Sequence, residues 1–283
     1  MKKFSDWHIH SRCSCDSACM EFETLVEDTK KKGITDFGVS DHYHTRIQEE
    51  DIALSRKFFD DTIERHPELK EHFHFGIEAT IVSEWEVSKI ARQEYVETPI
   101  FGFRSGGPSN APLVFDFDEE FIQKYSIEYV IAGMHWPMYC ATDRDSLIKE
   151  YHRQYMFAAT HPYTTILAHY LWWDNKLLPN WWGVHGVENP FLDFSAIPIS
   201  MLDELKAALI EYNTAYELNL YFKNLPNSFI DSYLGWAAEL QRNGVVLSFG
   251  SDCHKPSLST IDYDEAHSLF MHYGIDPSRF LVL

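Results

Sequence analysis

Histidine and carboxylate recur in this chain where strands should end. The segment DWHIH sets Asp6, His8 and His10 at i, i+2 and i+4 of a candidate strand. Side chains at that spacing project from one face, while Trp7 and Ile9 face the other way, toward covering helices. A buried strand has little reason to give its inward face to histidine without a use for it, because an unsatisfied buried polar group costs about 1–3 kcal/mol. The pattern repeats: His42 ends VSDH, Glu78 ends FGIE, His135 ends IAGMH, His169 ends ILAH, and Asp252 with His254 ends SFGSDCH. A single histidine of this kind reads as a hydrogen-bonded core or edge residue. Recurrence at successive strand ends reads as a metal site. Imidazole with carboxylate suits zinc, manganese or iron, whereas magnesium or calcium would be held mostly by oxygen.

The elements that must position these groups follow from hydropathy. Short apolar runs alternate with amphipathic segments, the rhythm of repeated strand and helix units. Strands are expected near Phe4 to His10, Ile34 to His42, Phe73 to Ala79, Tyr129 to His135, Thr165 to His169, Ala215 to Leu220 and Val245 to Asp252. Helices are expected over Glu21 to Lys32, Asp51 to Arg65, Glu119 to Lys124, Asp143 to Ala158, Ile199 to Tyr212, Ser228 to Asn243 and Tyr263 to His272. A barrel and an open doubly wound sheet both fit. In a barrel of parallel strands the carboxyl ends share one face, where catalytic groups gather, so residues distant in sequence meet there. Thr98 to Asp116, rich in Gly, Pro and Phe, and Leu171 to Phe194, with Trp172, Trp173, Trp181 and Trp182, interrupt the rhythm as insertions. With no internal repeat and no linker, residues 1–283 are expected to form a single domain.

Bulk properties narrow the function. A chain of 283 residues that is 45% hydrophobic and 24% charged can bury a sizeable core. Its net charge of −19 argues against nucleic acid or an anionic membrane surface as partner. The only basic cluster, Lys30 to Lys32, falls where a helix should end, which favours the helix dipole. Five cysteines fit a reducing compartment better than a disulfide framework, so a cytoplasmic location is expected. The amino terminus has no apolar run behind its two lysines, and no stretch reaches membrane-spanning length. Cys13, Cys15 and Cys19 offer a competing thiolate zinc site, disfavoured because no second cysteine pair follows. Cys253 alternates away from Asp252 and His254 and is expected to pack.

These residues resemble the PHP (polymerase and histidinol phosphatase) family of metal-dependent phosphoesterases. Four motifs appear in order: DWHIH at Asp6 to His10, SDH at Ser40 to His42, GMH at Gly133 to His135, and SDCH at Ser251 to His254. The intervening GIE ending at Glu78 and AH ending at His169 match as well, so the resemblance spans nearly the whole chain. It implies a distorted TIM-like barrel of seven strands and seven helices with a trinuclear metal centre. Carried over by position, it puts His8, His10, Glu78 and Asp252 on one metal, with Glu78 bridging to a second held by His135 and His169. Asp16, His42 and His254 would hold the third, Asp16 resting on its spacing from His10 alone. Asp6 is expected to orient a ligand histidine by hydrogen bond.

The implied reaction is hydrolysis of a small phosphomonoester by a metal-activated hydroxide, histidinol phosphate being the substrate the family name suggests. His254, Asp252 or a metal-bound water would protonate the leaving group. Phosphate also calls for arginine. Arg12 and Arg46, each just past a ligand-bearing strand end, are the expected contacts, with Arg104 and Arg144 further out. Glu217 and Asn219 share a face in YELNL, and Asn219 is either a substrate contact or a structural hydrogen bond. The Trp-rich segment is either a wall above the metals or, as favoured here, a satellite core. Among competing functions, a phosphodiesterase sits poorly with the −19 charge. An amide or lactone hydrolase on a similar barrel would be marked by a strand-end lysine, and a non-catalytic metal or phosphate-binding module by missing ligands.

Overall fold

Because the side-chain period of a strand is two, each strand here serves two cores, one inside the sheet and one beneath the helices. The computed structural model describes residues 4–103, 105–173 and 189–283. In chain order the strands are β1 (Phe4–Asp6), β2 (Ile34–Tyr43), β3 (Phe73–Thr80), β4 (Val82–Ser83), β5 (Leu113–Val114), β6 (Tyr129–Gly133), β7 (Ile166–Leu167), β8 (Ala215–Asn219) and β9 (Leu247–Gly250). Seven of them form a parallel sheet in the order β1-β2-β3-β6-β7-β8-β9. The two edges meet: Trp7 N donates to Phe249 O (3.2 Å), Asp252 N to His8 O (2.8 Å) and His10 N to Cys253 O (3.2 Å). The sheet is therefore a nearly closed, distorted seven-stranded barrel rather than an open doubly wound sheet.

The helices are α1 (Phe22–Lys32), α2 (Glu49–Arg65), α3 (Glu84–Ala91), α4 (Glu119–Lys124), α5 (Arg144–Thr160), α6 (Ile199–Tyr212), α7 (Asn227–Arg242) and α8 (Tyr263–His272). Helix α1 ends on Gly33 in the left-handed conformation (φ 70°), with Lys30, Lys31 and Lys32 in its last turn. Outward residues of the strands pack under the helices; Phe59 of α2, for example, lies against Phe73 and Phe75 of β3 at ring distances of 4.7 and 5.4 Å. Inside, Trp7, Tyr129, Ile131, Ile166, Ala168 and Ala215 form a separate apolar floor. The Tyr129 hydroxyl spans it, its one proton directed at Trp7 O (2.7 Å) with Val39 O also within reach (3.2 Å). Above this floor the inward positions turn polar, toward the carboxyl ends of the strands.

Two local features depart from the sequence expectation. Helix α3, capped by Ser83 Oγ on Glu86 N (3.2 Å), and β4 lie just after β3, where no element was expected, and β4 pairs antiparallel with β5, which falls inside the Gly- and Pro-rich insertion expected over Thr98 to Asp116. The alternation of DWHIH also breaks. β1 stops at Asp6, which pairs in register with the outward Phe37 of β2. Trp7 then turns into the barrel floor, so Asp6 does not share the inward face of His8 and His10.

Candidate metal centre

His8 and His10 follow β1 inside the barrel, fully buried. His42 and Glu78 sit opposite each other on β2 and β3. His135 follows β6, His169 follows β7, and Asp252 and His254 follow β9. Asp16 comes from the loop before α1. The barrel thus brings together all the residues expected as ligands. His8 Nε2 and His10 Nε2 approach to 3.1 Å. Glu78 Oε2 lies 3.2 and 3.4 Å from these two nitrogens, and Asp252 Oδ1 lies 3.5 and 3.2 Å from them. The other Glu78 oxygen, Oε1, is 2.8 Å from His169 Nε2 and 3.1 Å from His135 Nε2. Asp16 Oδ2 is 2.5 Å from His254 Nε2 and 3.4 Å from His42 Nε2. Three overlapping sets have all their ligand atoms within 4.8 Å of one another: His10, Asp16, His42 and His254; His8, His10 and Asp252; His42, Glu78 and His135.

These residues fit divalent metal. Among the described residues the cluster's carboxylates pair only with imidazoles, with no lysine or arginine beside them. Glu78 Oε2, Asp16 Oδ1, His42 Nδ1 and His169 Nδ1 are buried without a hydrogen bond. Buried carboxylates and ring nitrogens crowded in this way need a cation to offset their mutual repulsion and lost hydration.

Without a metal, protons take that part. Burial opposes protonation of His8, but Glu217, Asp252 and Glu78 outweigh it and hold the ring well above the usual histidine range. His42 is raised in the same way, by Glu78 and Asp16. Burial, with His254 and His42 nearby, pushes His10 down to about 3, and burial pushes His135 down to about 4. Burial opposes ionisation of Glu78 and Asp252, yet the surrounding imidazoles keep both well below the carboxylate range.

A second layer of contacts holds the ligands. Glu217, on the inward face of β8, accepts from His8 Nδ1 (2.6 Å) through one oxygen and from His169 N (2.7 Å) through the other. With its Nδ1 proton given to Glu217, His8 turns an Nε2 lone pair to the centre. Sequence reasoning placed Glu217 inward but gave it no role; its i+2 spacing from Asn219 was the available signal. Asn219 donates to Glu217 Oε2 (3.1 Å) and Asp252 Oδ2 (3.3 Å) and is fully buried, the structural alternative for this residue. Asp6, expected to orient an imidazole, instead accepts from His8 N (3.3 Å), Ser251 N (3.0 Å) and the Tyr263 hydroxyl of α8 (2.7 Å). It fixes the backbone of two ligand loops, because the break at Trp7 turns its side chain outward.

Close approach is built into the same rungs. A Cβ on Gly133 would stand 2.5 Å from Glu78 Oε1, and one on Gly250 would stand 1.9 Å from Glu217 Oε1. His169 (φ 23°) and Asp252 (φ 52°) occupy the left-handed region, which costs of order 1–3 kcal/mol each for non-glycine residues and is found at ligand-holding sites.

The expected phosphate contacts are engaged elsewhere. Arg12 pairs with Glu21 (3.0 Å) and stacks on Phe58 (4.4 Å), and Arg144 pairs with Asp193 (3.6 Å). Arg46 forks onto Asp116 (2.5–3.1 Å) and lines a cleft with Tyr43, Glu49 and Lys124 that includes no member of the cluster. Arg104, Trp181 and Trp182 lie outside the described residues. Of the Trp-rich segment, Trp172 stands 6.0 Å from His169 and 6.1 Å from His135, and Trp173 packs on Tyr151 and Phe191. Burial and Asp41 push the Cys13 thiol up to about 11, so it stays protonated near neutral pH.

No known family profile matches the chain, and no curated protein matches it. Among solved structures, a histidinol phosphate phosphatase from Lactococcus lactis subsp. lactis Il1403, complexed with zinc, L-histidinol and phosphate, is similar in fold. The TM-score is 0.61 at 14% identity, over 97% of this chain and 95% of that one.

Proposed function

We propose that this chain is a metal-dependent phosphoesterase of the PHP type that hydrolyses a small phosphomonoester. The observation that carries the reading is Glu78. One buried carboxylate touches five imidazoles from four strand ends, with no lysine or arginine paired to it among the described residues. His8, His10, Glu78 and Asp252 would hold one ion, Glu78, His135 and His169 a second, and Asp16, His42 and His254 a third. The similar barrel complexed with zinc, L-histidinol and phosphate supports zinc as the first metal to load and histidinol phosphate as the first ester to assay.

When bound, the ions supply an activated water and positive charge at the phosphoryl oxygens. The chain's own groups prepare that chemistry. Glu217 keeps the His8 lone pair aimed inward, and Asn219 steadies Glu217 and Asp252. His254 gives its Nδ1 proton to Asp252 O (2.9 Å), so only Nε2 remains, and that atom faces Asp16. A ring committed in this way serves as a ligand, and leaving-group protonation falls to water at the mouth, where the His254 side chain is 34% exposed. Trp172 gives the mouth an aromatic side suited to a substrate with a planar part. Either arginine, Arg12 or Arg46, would reach a phosphoryl group only by leaving its carboxylate.

The test is phosphate release from a panel of mono- and diesters by protein loaded in turn with zinc, manganese and iron. Release from monoesters, lost together with bound metal in His10→Ala, is expected. No release from any ester, or full turnover in His10→Ala, would overturn the reading.

A further inference from the structure

Thr80 closes β3 on the inward face, one rung above Glu78, and its hydroxyl lies between two imidazoles. Thr80 Oγ1 is 2.6 Å from His44 Nδ1 and 2.8 Å from His135 Nδ1. A hydroxyl has one proton to donate, so it cannot donate to both nitrogens; one ring must donate to it. His135 turns its Nε2 toward Glu78 Oε1 (3.1 Å). For that Nε2 to offer a lone pair, the His135 proton must sit on Nδ1 and be donated to Thr80. The Thr80 proton is then directed at His44 Nδ1, and His44 carries its own proton on Nε2. The opposite sense, with Thr80 donating to His135 Nδ1, would put the His135 proton on Nε2 and block coordination.

We propose that Thr80 and His44 are positioning residues that hold His135 in its metal-binding tautomer, an inference that rests on the reading of His135 as a ligand. A second observation supports it independently. His44 is 3% exposed, and its Nε2 has neither a hydrogen bond nor solvent. Leaving a buried N–H unsatisfied is costly, and a phenylalanine would fill the same place against Phe101 (5.6 Å) without that cost. The ring nitrogen that does have a partner is the one on Thr80. Among the described residues the His44 ring makes no other hydrogen bond. Register explains why these residues meet: His42 pairs with Glu78 and Tyr43 with Ala79, so the next rung sets His44 beside Thr80. Thr80 in turn pairs with Gly133, two residues before His135.

The test uses the metal-free full chain with 15N-labelled histidine. Long-range proton–nitrogen correlation spectra, with His135→Gln to assign the ring, report which nitrogen of His135 carries the proton. Zinc titration against a competing chelator gives affinity on the same samples. Wild type is expected to show His135 protonated on Nδ1. Thr80→Val and His44→Phe are expected to gain the Nε2–H form and to lose about 10–100-fold in zinc affinity at that site. Thr80→Ser, which keeps the hydroxyl, should restore both and controls for damage to folding. Wild-type tautomer and affinity in both Thr80→Val and His44→Phe would overturn the inference while leaving the proposed function intact. Equal zinc binding by wild type and His135→Gln would overturn the reading of His135 as a ligand, and this inference with it.

Discussion

At the scale of single residues, metal affinity should depend on groups that never touch metal. Glu217 accepts from His8 Nδ1, His169 N and Asn219 Nδ2, so one buried carboxylate fixes two of the proposed ligands, from different strand ends. Glu217→Gln keeps the size but cannot accept at its amide nitrogen, so at least one of these contacts becomes a clash of donors. Zinc affinity is expected to fall about 10–100-fold in this variant. The metal-free protein should melt below wild type, because the variant breaks the buried pair with His8, whose ring Glu217 helps to hold well above the usual histidine range. Isothermal titration and thermal melts check both parts. An unchanged affinity would show that Glu217 is packing only. Such roles were hard to read in the sequence, since Glu217 meets His8 only through barrel closure, 209 positions away. Arg12 and Arg46 illustrate the converse: position beside a ligand loop was legible, but their partners Glu21 and Asp116 were not.

At the scale of elements, strand ends were the most legible feature, because imidazole and carboxylate at the end of an apolar run have few other uses. Less legible was the turn of Trp7 into the floor, which depends on the space beside Tyr129 and Ile131 and reversed the expected side of Asp6. Helix α3 was missed because its short sequence, EWEVSKIA, offers few turns of periodicity. It carries a testable group. Glu86 is fully buried, its Oε1 accepting from Phe103 N (2.7 Å), and burial pushes its pKa up to about 7. A carboxyl raised in the fold from 4.5 to about 7 holds an extra proton between those values, so stability falls as pH rises through that window. The shift corresponds to on the order of 3 kcal/mol. Glu86→Gln should remove this dependence: relative to wild type, its melting temperature is expected to rise steadily between pH 4.5 and 7. A constant difference across that range would show that Glu86 ionises freely.

At the scale of the whole molecule, a chain of net charge −19 gathers buried carboxylates at the mouth of a barrel and surrounds them with histidine. Among the described residues no helix is long and apolar enough to cross a membrane. The barrel is what makes distant motifs one site, and a barrel or an open sheet were equally compatible with the strand and helix pattern alone; the contacts of β1 with β9 decide it. Metal should act on the fold as a ligand acts, stabilising by about 4 kcal/mol at a thousandfold excess over its dissociation constant. The most direct test of the account is phosphate release from histidinol phosphate and other monoesters, measured as metal-free protein is titrated with zinc, with bound metal counted at each point. Release is expected to rise with bound zinc and to fall by at least about 100-fold in Glu78→Gln, which loses the shared carboxylate. Hydrolysis that persists at full rate in metal-free protein, or zinc-loaded protein that releases phosphate from no ester, would contradict it.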